Sequence, residues 1–155
     1  MTEITLATSG QHIEDARALF GEYETWLGMS LCFQNFEEEV ATLPGRYASL
    51  GGRLYVAYDE GEPIGCIALR GIAAGVCEMK RLYLRDAARG KGVGLRLIEQ
   101  VLADAREIGY EKMRLDTYPP KMGKAVSLYE SHGFHTIDPY YENPHGDTLF
   151  MEKDL

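Results

Sequence analysis

The sequence predicts an α+β domain in which about four helices flank a mixed sheet. Three observations predict it. Apolar residues switch along the chain between period-two runs and helical spacing. A short turn, Asp59-Glu60-Gly61-Glu62, joins two of the period-two runs as a hairpin. A third run, Val76–Leu84, leads into a glycine-rich turn, a long amphipathic stretch and another apolar run, the order of a strand–helix–strand crossover.

Each element follows from its own pattern. Glu3–Ala7 alternates as a short strand. From Ile13 the residues Ala16, Leu19, Phe20, Tyr23, Trp26 and Leu27 recur at helical spacing, and Gly28 stops them. Asn35 followed by Glu38 resembles a capping box, opening a short second helix that must end by Pro44. Arg53–Tyr58 and Pro63–Leu69 are the hairpin strands, and Val76–Leu84 is the third. A helix after Arg89–Gly94 buries Val93, Leu97, Ile98, Val101, Leu102, Ala105 and Ile108, with Gly109 as its stop. Met113–Thr117 is a strand that Pro119-Pro120 breaks. A last helix runs from about Lys121 to His132, capped by Gly133, and Phe134–Ile137 and Thr148–Glu152 complete the sheet.

No repeat, linker or low-complexity tract divides the 155 residues, so residues 1–155 are expected to form one domain. The longest run without Asp, Glu, Lys or Arg is Thr25–Phe36, 12 residues, too short to span a bilayer. The first ten residues lack the basic flank and apolar stretch of a secretory signal. Cys32, Cys66 and Cys77 form no CxxC pair or disulfide framework, which suits a reducing cytoplasm. A net charge of −8 argues against a nucleic-acid binder. Within this acidic chain, Met79–Arg96 holds six basic residues against the single acid Asp86. Such an island is either a solvated face or the seat of one local anionic ligand.

The glycine turn favours the ligand. Arg89-Gly90-Lys91-Gly92-Val93-Gly94 feeds a helix, so free backbone N–H groups meet the positive end of the helix dipole where glycines allow close approach. No P-loop string is present, and a dinucleotide GxGxxG beginning at Gly90 fails at Leu95. The pattern that remains is R-x-x-G-x-G, carried by Arg89, Gly92 and Gly94. Downstream lies Ala125-Val126-Ser127-Leu128-Tyr129-Glu130-Ser131-His132-Gly133-Phe134. In these two motifs and their order the chain resembles the GNAT superfamily of acetyl-CoA-dependent N-acetyltransferases. Leu115-Asp116-Thr117, Met122 and Pro139-Tyr140-Tyr141-Glu142-Asn143-Pro144 further resemble a subset of small bacterial members.

The resemblance implies a central, mostly antiparallel sheet with two splayed parallel strands. It implies that pantetheine pairs with the backbone of Leu82, Tyr83 and Leu84, and that pyrophosphate sits on Arg89, Gly90, Lys91, Gly92, Val93 and Gly94. An N–H near Leu82 would polarise the thioester carbonyl. Acetyl transfer would proceed by direct attack of a primary amine, either a small amine or a peptide amine, in a ternary complex. Tyr129 matches the general acid of the family. Glu78 and Asp116 are the candidate bases, because an alkylammonium must lose a proton before attack. Glu78 ranks first, on the parity it shares with Leu82 and Leu84 if no bulge intervenes. Met122 stands where many members carry an asparagine that contacts the CoA arm. Members commonly form homodimers, and neither nucleic acid nor membrane is an expected partner.

The remaining candidates carry less. The four histidines include no HExxH pair, so no metal is expected. Cys66 and Cys77 fall in strands as small core residues. Glu14, Asp15, Glu22, Glu24, Glu37, Glu38 and Glu39 on the first two helices either wall a cationic acceptor or form a solvated acidic surface. A non-catalytic acyl-CoA-binding module is the alternative to an enzyme, and thiol release from acetyl-CoA separates the two.

Overall fold

The computed structural model describes residues 2–31, 34–48 and 50–155, so Met1, Cys32, Phe33 and Ser49 lie outside the described residues. Its strands are β1 (Thr2–Leu6), β2 (Arg53–Asp59), β3 (Glu62–Ala73), β4 (Val76–Leu84), β5 (Lys112–Thr117), β6 (His135–Ile137) and β7 (Leu149–Asp154). The helices are α1 (Gly10–Leu27), α2 (Phe36–Ala41), α3 (Val93–Ile108) and α4 (Pro119–Ser131). The strands form one sheet in the order β1-β2-β3-β4-β5-β7-β6. Five of the six pairings are antiparallel, and β4–β5 alone is parallel. The tight turns at Asp59–Glu62 and Ala73–Val76 return the chain antiparallel. Only the α3 crossover can bring β5 alongside β4 in the same direction. Among the described residues no helix is long and apolar enough to cross a membrane.

Both faces of the central strands are covered, which is why β2 and β3 read as nearly continuous apolar runs. On one face α3 packs Val93, Leu97, Ile98, Val101 and Ala105 against Ile67, Leu69, Cys77, Met79, Met113 and Leu115. On the other α1 packs Ala16, Leu19, Phe20 and Tyr23 against Leu54, Val56, Cys66 and Ala68.

Three local expectations are corrected. Asn35 adopts a left-handed backbone (φ 57°) and makes no capping bond, so α2 starts without the capping box. Helix α1 begins at Gly10, a turn before the apolar stripe that opens at Ile13. Pro119 and Pro120 open α4 rather than precede it. Proline is compatible with a first turn, where its missing N–H would have no partner.

The correction that matters most for function lies in β4. Cys77 and Met79 face α3, as do Leu82 and Leu84, so the alternation slips by one residue between them. The slip is a β-bulge: the register with β3 jumps between Cys66 and Ala68, opposite Tyr83 and Lys80, and Arg81 has φ 60°. The bulge puts Glu78 on the α1 side, opposite the Leu82–Leu84 face that simple parity assigns it. Beyond the bulge β4 and β5 separate. Their ladder has three pairs, Val76↔Lys112, Cys77↔Met113 and Glu78↔Arg114, and ends there.

Arg81 pins the bulge to α2. Its Nε donates to Glu39 Oε2 at 2.8 Å, an NH2 nitrogen donates to Glu39 Oε1 at 3.0 Å, and the guanidinium lies 5.0 Å from the Phe36 ring centre. Both side chains are nearly sealed, at 2% and 12% exposure. Arg81→Ala leaves Glu39 without its partner, and the expected cost is about 3–5 kcal/mol of stability. A fall in the urea midpoint measures it. Replacing Glu39 by leucine as well should recover much of the loss, since the stranded charge is then gone.

Candidate active site

The separation of β4 and β5 opens a cleft of about 590 Å³ at the end of β4. Leu82, Tyr83 and Leu84 form one wall, Arg89, Gly90 and Gly94 one end, and Met122, Ala125 and Leu128 of α4 the opposite side. Because β5 no longer covers it, the outer edge of β4 has backbone groups free to pair. The first backbone bond of α3 runs from Arg96 N–H to the Gly92 carbonyl at 3.2 Å. The N–H groups of Val93, Gly94 and Leu95 therefore precede any intrahelical acceptor. Gly90 and Gly92 turn the chain with φ of 77° and 72°, conformations a side chain would strain.

Six of the nine residues assigned to a cofactor line this cleft: Leu82, Tyr83, Leu84, Arg89, Gly90 and Gly94. The other three do not. Lys91 Nζ turns away to Asp59 Oδ2 at 2.9 Å, the Val93 side chain is buried in the core, and Gly92 is the N-cap of α3. Trp26, Pro119, Pro120 and the first turns of α4 also line the cleft. Their sequence signal is weak, since an aromatic on an amphipathic helix and a proline pair look like core and breaker. Met122 is buried at a kink in α4, and the Thr117 hydroxyl donates to its sulfur at 3.5 Å.

The three residues assigned to chemistry fall in different settings. Glu78 is 1% exposed and both of its oxygens are occupied. Arg70 reaches Oε1 at 2.8 Å, and the Tyr140 hydroxyl donates to Oε2 at 2.6 Å. Burial pushes its carboxyl up, but the charges of Lys80 and Arg70 and the bonds from Tyr140 and Arg70 outweigh burial and hold it below its ordinary value. Asp116 is half-buried, accepts a hydrogen bond from Tyr141 and borders a small cavity with Arg81, Gln34 and Tyr118. Tyr141 is held in turn by amide donors on Gln34 at 3.2 Å and Asn143 at 3.0 Å. These bonds draw the connection between β6 and β7 over the α1 side of the sheet.

Tyr129 lies behind Ala125 and Leu128 with its ring edge-on to Phe134 at 5.8 Å, and it is 3% exposed. Its hydroxyl has no hydrogen-bond partner among the described residues. Burial, then Tyr23 and Asp116, push its pKa well above that of a free phenol, so it stays protonated through neutral pH. Cys66 and Cys77 are buried, with burial raising both thiols, Cys77 to about 12; they are core thiols rather than nucleophiles. Most acids of the first two helices serve internal ties. Glu22 pairs with Arg85, Glu39 with Arg81 and Glu14 with Arg17, while Glu24 accepts from Leu31 N–H and Asp15 from the Tyr58 hydroxyl.

A model of the Acetyltransferase (GNAT) family matches residues 14–134 of the chain. An uncharacterized N-acetyltransferase of Schizosaccharomyces pombe is 38% identical over 147 residues, covering 94% of this chain and 90% of the yeast protein. Likeness over nearly the whole chain therefore extends beyond bacteria. A GNAT-family acetyltransferase of Staphylococcus aureus superposes with a TM-score of 0.81 at 17% identity, covering 99% of each chain. The PaiA N-acetyltransferase of Thermoplasma acidophilum, solved in complex with coenzyme A, gives 0.76 at 22% identity and covers 100% of this chain and 99% of its own. At such identities these two structures show the shared fold.

The setting of Glu78 has a measurable consequence. A carboxyl held below its ordinary value of 4.5 stabilises the fold above that value and loses the contribution as pH falls through the lowered one. Glu78→Gln should lower the melting temperature at pH 7, and the deficit should shrink as pH falls below about 4.5. A deficit that stays constant from pH 7 to pH 3 would mean that the charge of Glu78 contributes nothing.

Proposed function

The chain belongs to the GNAT family of acetyltransferases, and from that premise we propose that it transfers an acetyl group from acetyl-CoA to a primary amine by direct attack in a ternary complex. The observation that supports this reading best is the cleft itself. It joins an unpaired strand edge to a helix N-terminus approached through glycines, the two kinds of backbone donor that a pantetheine amide and a pyrophosphate require. The residues fit the co-substrate. A side chain is absent where close approach is needed, and a Cβ on Gly94 would come within 3.2 Å of Leu84.

Acetyl-CoA supplies an acetyl group already activated as a thioester. The edge of Leu82–Leu84 pairs with the pantetheine arm, and the N–H groups of the turn and the start of α3 hold the pyrophosphate with Arg89. A backbone N–H near Leu82 stabilises negative charge on the carbonyl oxygen. Asp116 takes the proton that the acceptor ammonium must lose before its nitrogen attacks the carbonyl carbon. Asp116 ranks ahead of Glu78 because both Glu78 oxygens are engaged and sealed, whereas Asp116 is half-buried and borders a cavity at the separation. Tyr129 presents its O–H to the sulfur as the carbon–sulfur bond breaks. A thiol ionises near ~8.5, below a buried phenol, so the hydroxyl contributes chiefly as a donor to developing charge.

Two measurements test this reading. Gly94→Glu puts a carboxylate among the turn N–H groups at a position with ordinary backbone angles, and an acid in a first helical turn favours the helix. Gly94 is buried and a Cβ there meets Leu84 at 3.2 Å, so the variant should melt below the parent protein while still folding, and it should lose the rise in melting temperature that acetyl-CoA gives. An undiminished rise would place the pyrophosphate elsewhere. The second measurement is amine-dependent release of thiol from acetyl-CoA, which a mere binding module lacks. Tyr129→Phe should lower kcat roughly 10- to 1,000-fold, and Asp116→Asn should lower it more than Glu78→Gln does. The reverse order would return the base to β4.

A further inference from the structure

The α1 side of the β4–β5 separation holds a second cavity, of about 30 Å³ and partly open to solvent. It adjoins the larger cleft: Arg81 lines the one and Leu82 the other, as do Tyr118 and Pro119 across the separation. Tyr23, Leu27 and Leu31 give it apolar walls, and Gln34 and Asp116 bring polar atoms to it. The basic side chains that border it are engaged, Arg81 by Glu39 and His145 by the Ser30 carbonyl.

The direction of the Gln34 amide follows from its neighbours. The Tyr141 hydroxyl has one proton, which it donates to Asp116 Oδ2, so toward Gln34 and Asn143 it can only accept. Gln34 therefore turns its Nε2 toward Tyr141, at 3.2 Å, and its Oε1 away. That Oε1 is buried and has no hydrogen-bond partner among the described residues. Asp116 engages Tyr141 through Oδ2 alone, and among the described residues nothing donates to its Oδ1. A buried amide oxygen left unpaired is costly, and such an atom in a folded protein calls for a donor. Two acceptors, held side by side by one tyrosine hydroxyl, thus border the same small space. One water needs roughly 10–15 Å³, so the cavity has room for about two atoms of that size, an amine nitrogen and the carbon that carries it.

Resting on the acetyltransferase reading, we infer that the acceptor nitrogen sits on an unbranched methylene, as in an alkylamine or a lysine side chain, and not on the α-carbon of an amino acid or peptide. Gln34 Oε1 and Asp116 Oδ1 each accept an N–H of the ammonium, and the alkyl chain meets the apolar walls. A second substituent on the carbon has no room, and a carboxylate there has no matching charge, since Arg81 and His145 are engaged. Once Asp116 has taken its proton, the bond to Gln34 still holds the nitrogen at the boundary with the larger cleft.

The test is thiol release from saturating acetyl-CoA with matched acceptors. Pentylamine is set against norleucine, 2-phenylethylamine against phenylalanine, and Nα-acetyllysine methylamide against norleucine methylamide, whose α-amine is branched but carries no carboxylate. The wild-type protein should prefer the unbranched member of each pair by about tenfold or more in kcat/KM. Pentylamine against Nα-acetyllysine methylamide then tells a free alkylamine from a lysine side chain. Gln34→Met keeps the reach of the side chain without the acceptor. It should raise KM for the unbranched amines roughly 10- to 100-fold and leave the melting-temperature rise with acetyl-CoA in place. A loss confined to kcat would overturn the bond to substrate, assigning Gln34 to the support of Tyr141 and Asp116. Equal or greater turnover of the α-amines by the wild type overturns the inference with no variant needed, which keeps it decidable should Gln34→Met fail to fold. Absence of thiol release with every amine would remove the acetyltransferase reading itself, and this inference with it.

Discussion

The early end of the β4–β5 ladder is the constraint on which the rest of the site depends. A parallel pair joined by a crossover helix normally continues along both strands, burying its edges. Here a bulge at Arg81 turns β4 after three rungs, and each strand keeps only its antiparallel neighbour beyond that point. An unpaired backbone edge inside a domain is unfavourable unless water or a ligand completes it. The same divergence brings the start of α3 and the first turns of α4 to the two ends of one cleft. Free strand edge, free helix N–H groups and apolar walls thus share a single geometric cause.

Holding that divergence open requires buried polar ties, and these occupy the α1 side. Arg81 bridges to Glu39 of α2, Arg85 bridges to Glu22 of α1, and Tyr140 and Tyr141 reach Glu78 and Asp116 from the connection between β6 and β7. Each tie joins a strand of the separation to an element that is distant in the chain. Buried ion pairs of this kind return little net stability over apolar replacements, but breaking one leaves a stranded charge and is expensive. They favour one arrangement over its neighbours, which a site built on a gap needs more than one built on a continuous sheet. The α3 side carries the opposite character: a stripe of Leu97, Ile98 and Val101 on apolar strands supplies cohesion without specifying chemistry. Apolar cohesion and buried polar ties are thereby placed on opposite faces of the same sheet.

Much of this was legible in the sequence because it is local. Val76–Leu84 has the bounds expected for it, the hairpin turn at Asp59–Glu62 is where Gly61 permits a left-handed backbone, and Gly28 and Gly109 terminate α1 and α3 as left-handed caps. The glycine turn likewise announces itself, since its conformational demands are met within a few residues. The side chains that surround it were less legible. Trp26 and Met122 reach the cleft from elements far apart in sequence, and each has the spacing of an ordinary core residue. Lys91, beside three glycines in a basic stretch, looks like a phosphate ligand, and only the fold reveals that Asp59, 32 residues earlier, pairs with its ammonium.

The sequence by itself determined the class of fold, the order of elements, the family and the place of the glycine-rich turn. Those properties depend on periodicity, on glycine backbone freedom and on motifs that are contiguous in the chain. Tertiary structure alone decided which face each β4 side chain presents, because a bulge inserts one residue and inverts every position after it. It alone decided the ionisation of Glu78, where Arg70 from β3, Lys80 from β4 and Tyr140 from a later connection together outweigh burial. Charge on a buried group is set by what surrounds it in space, and a linear sequence carries no register between strands that pair through long connections.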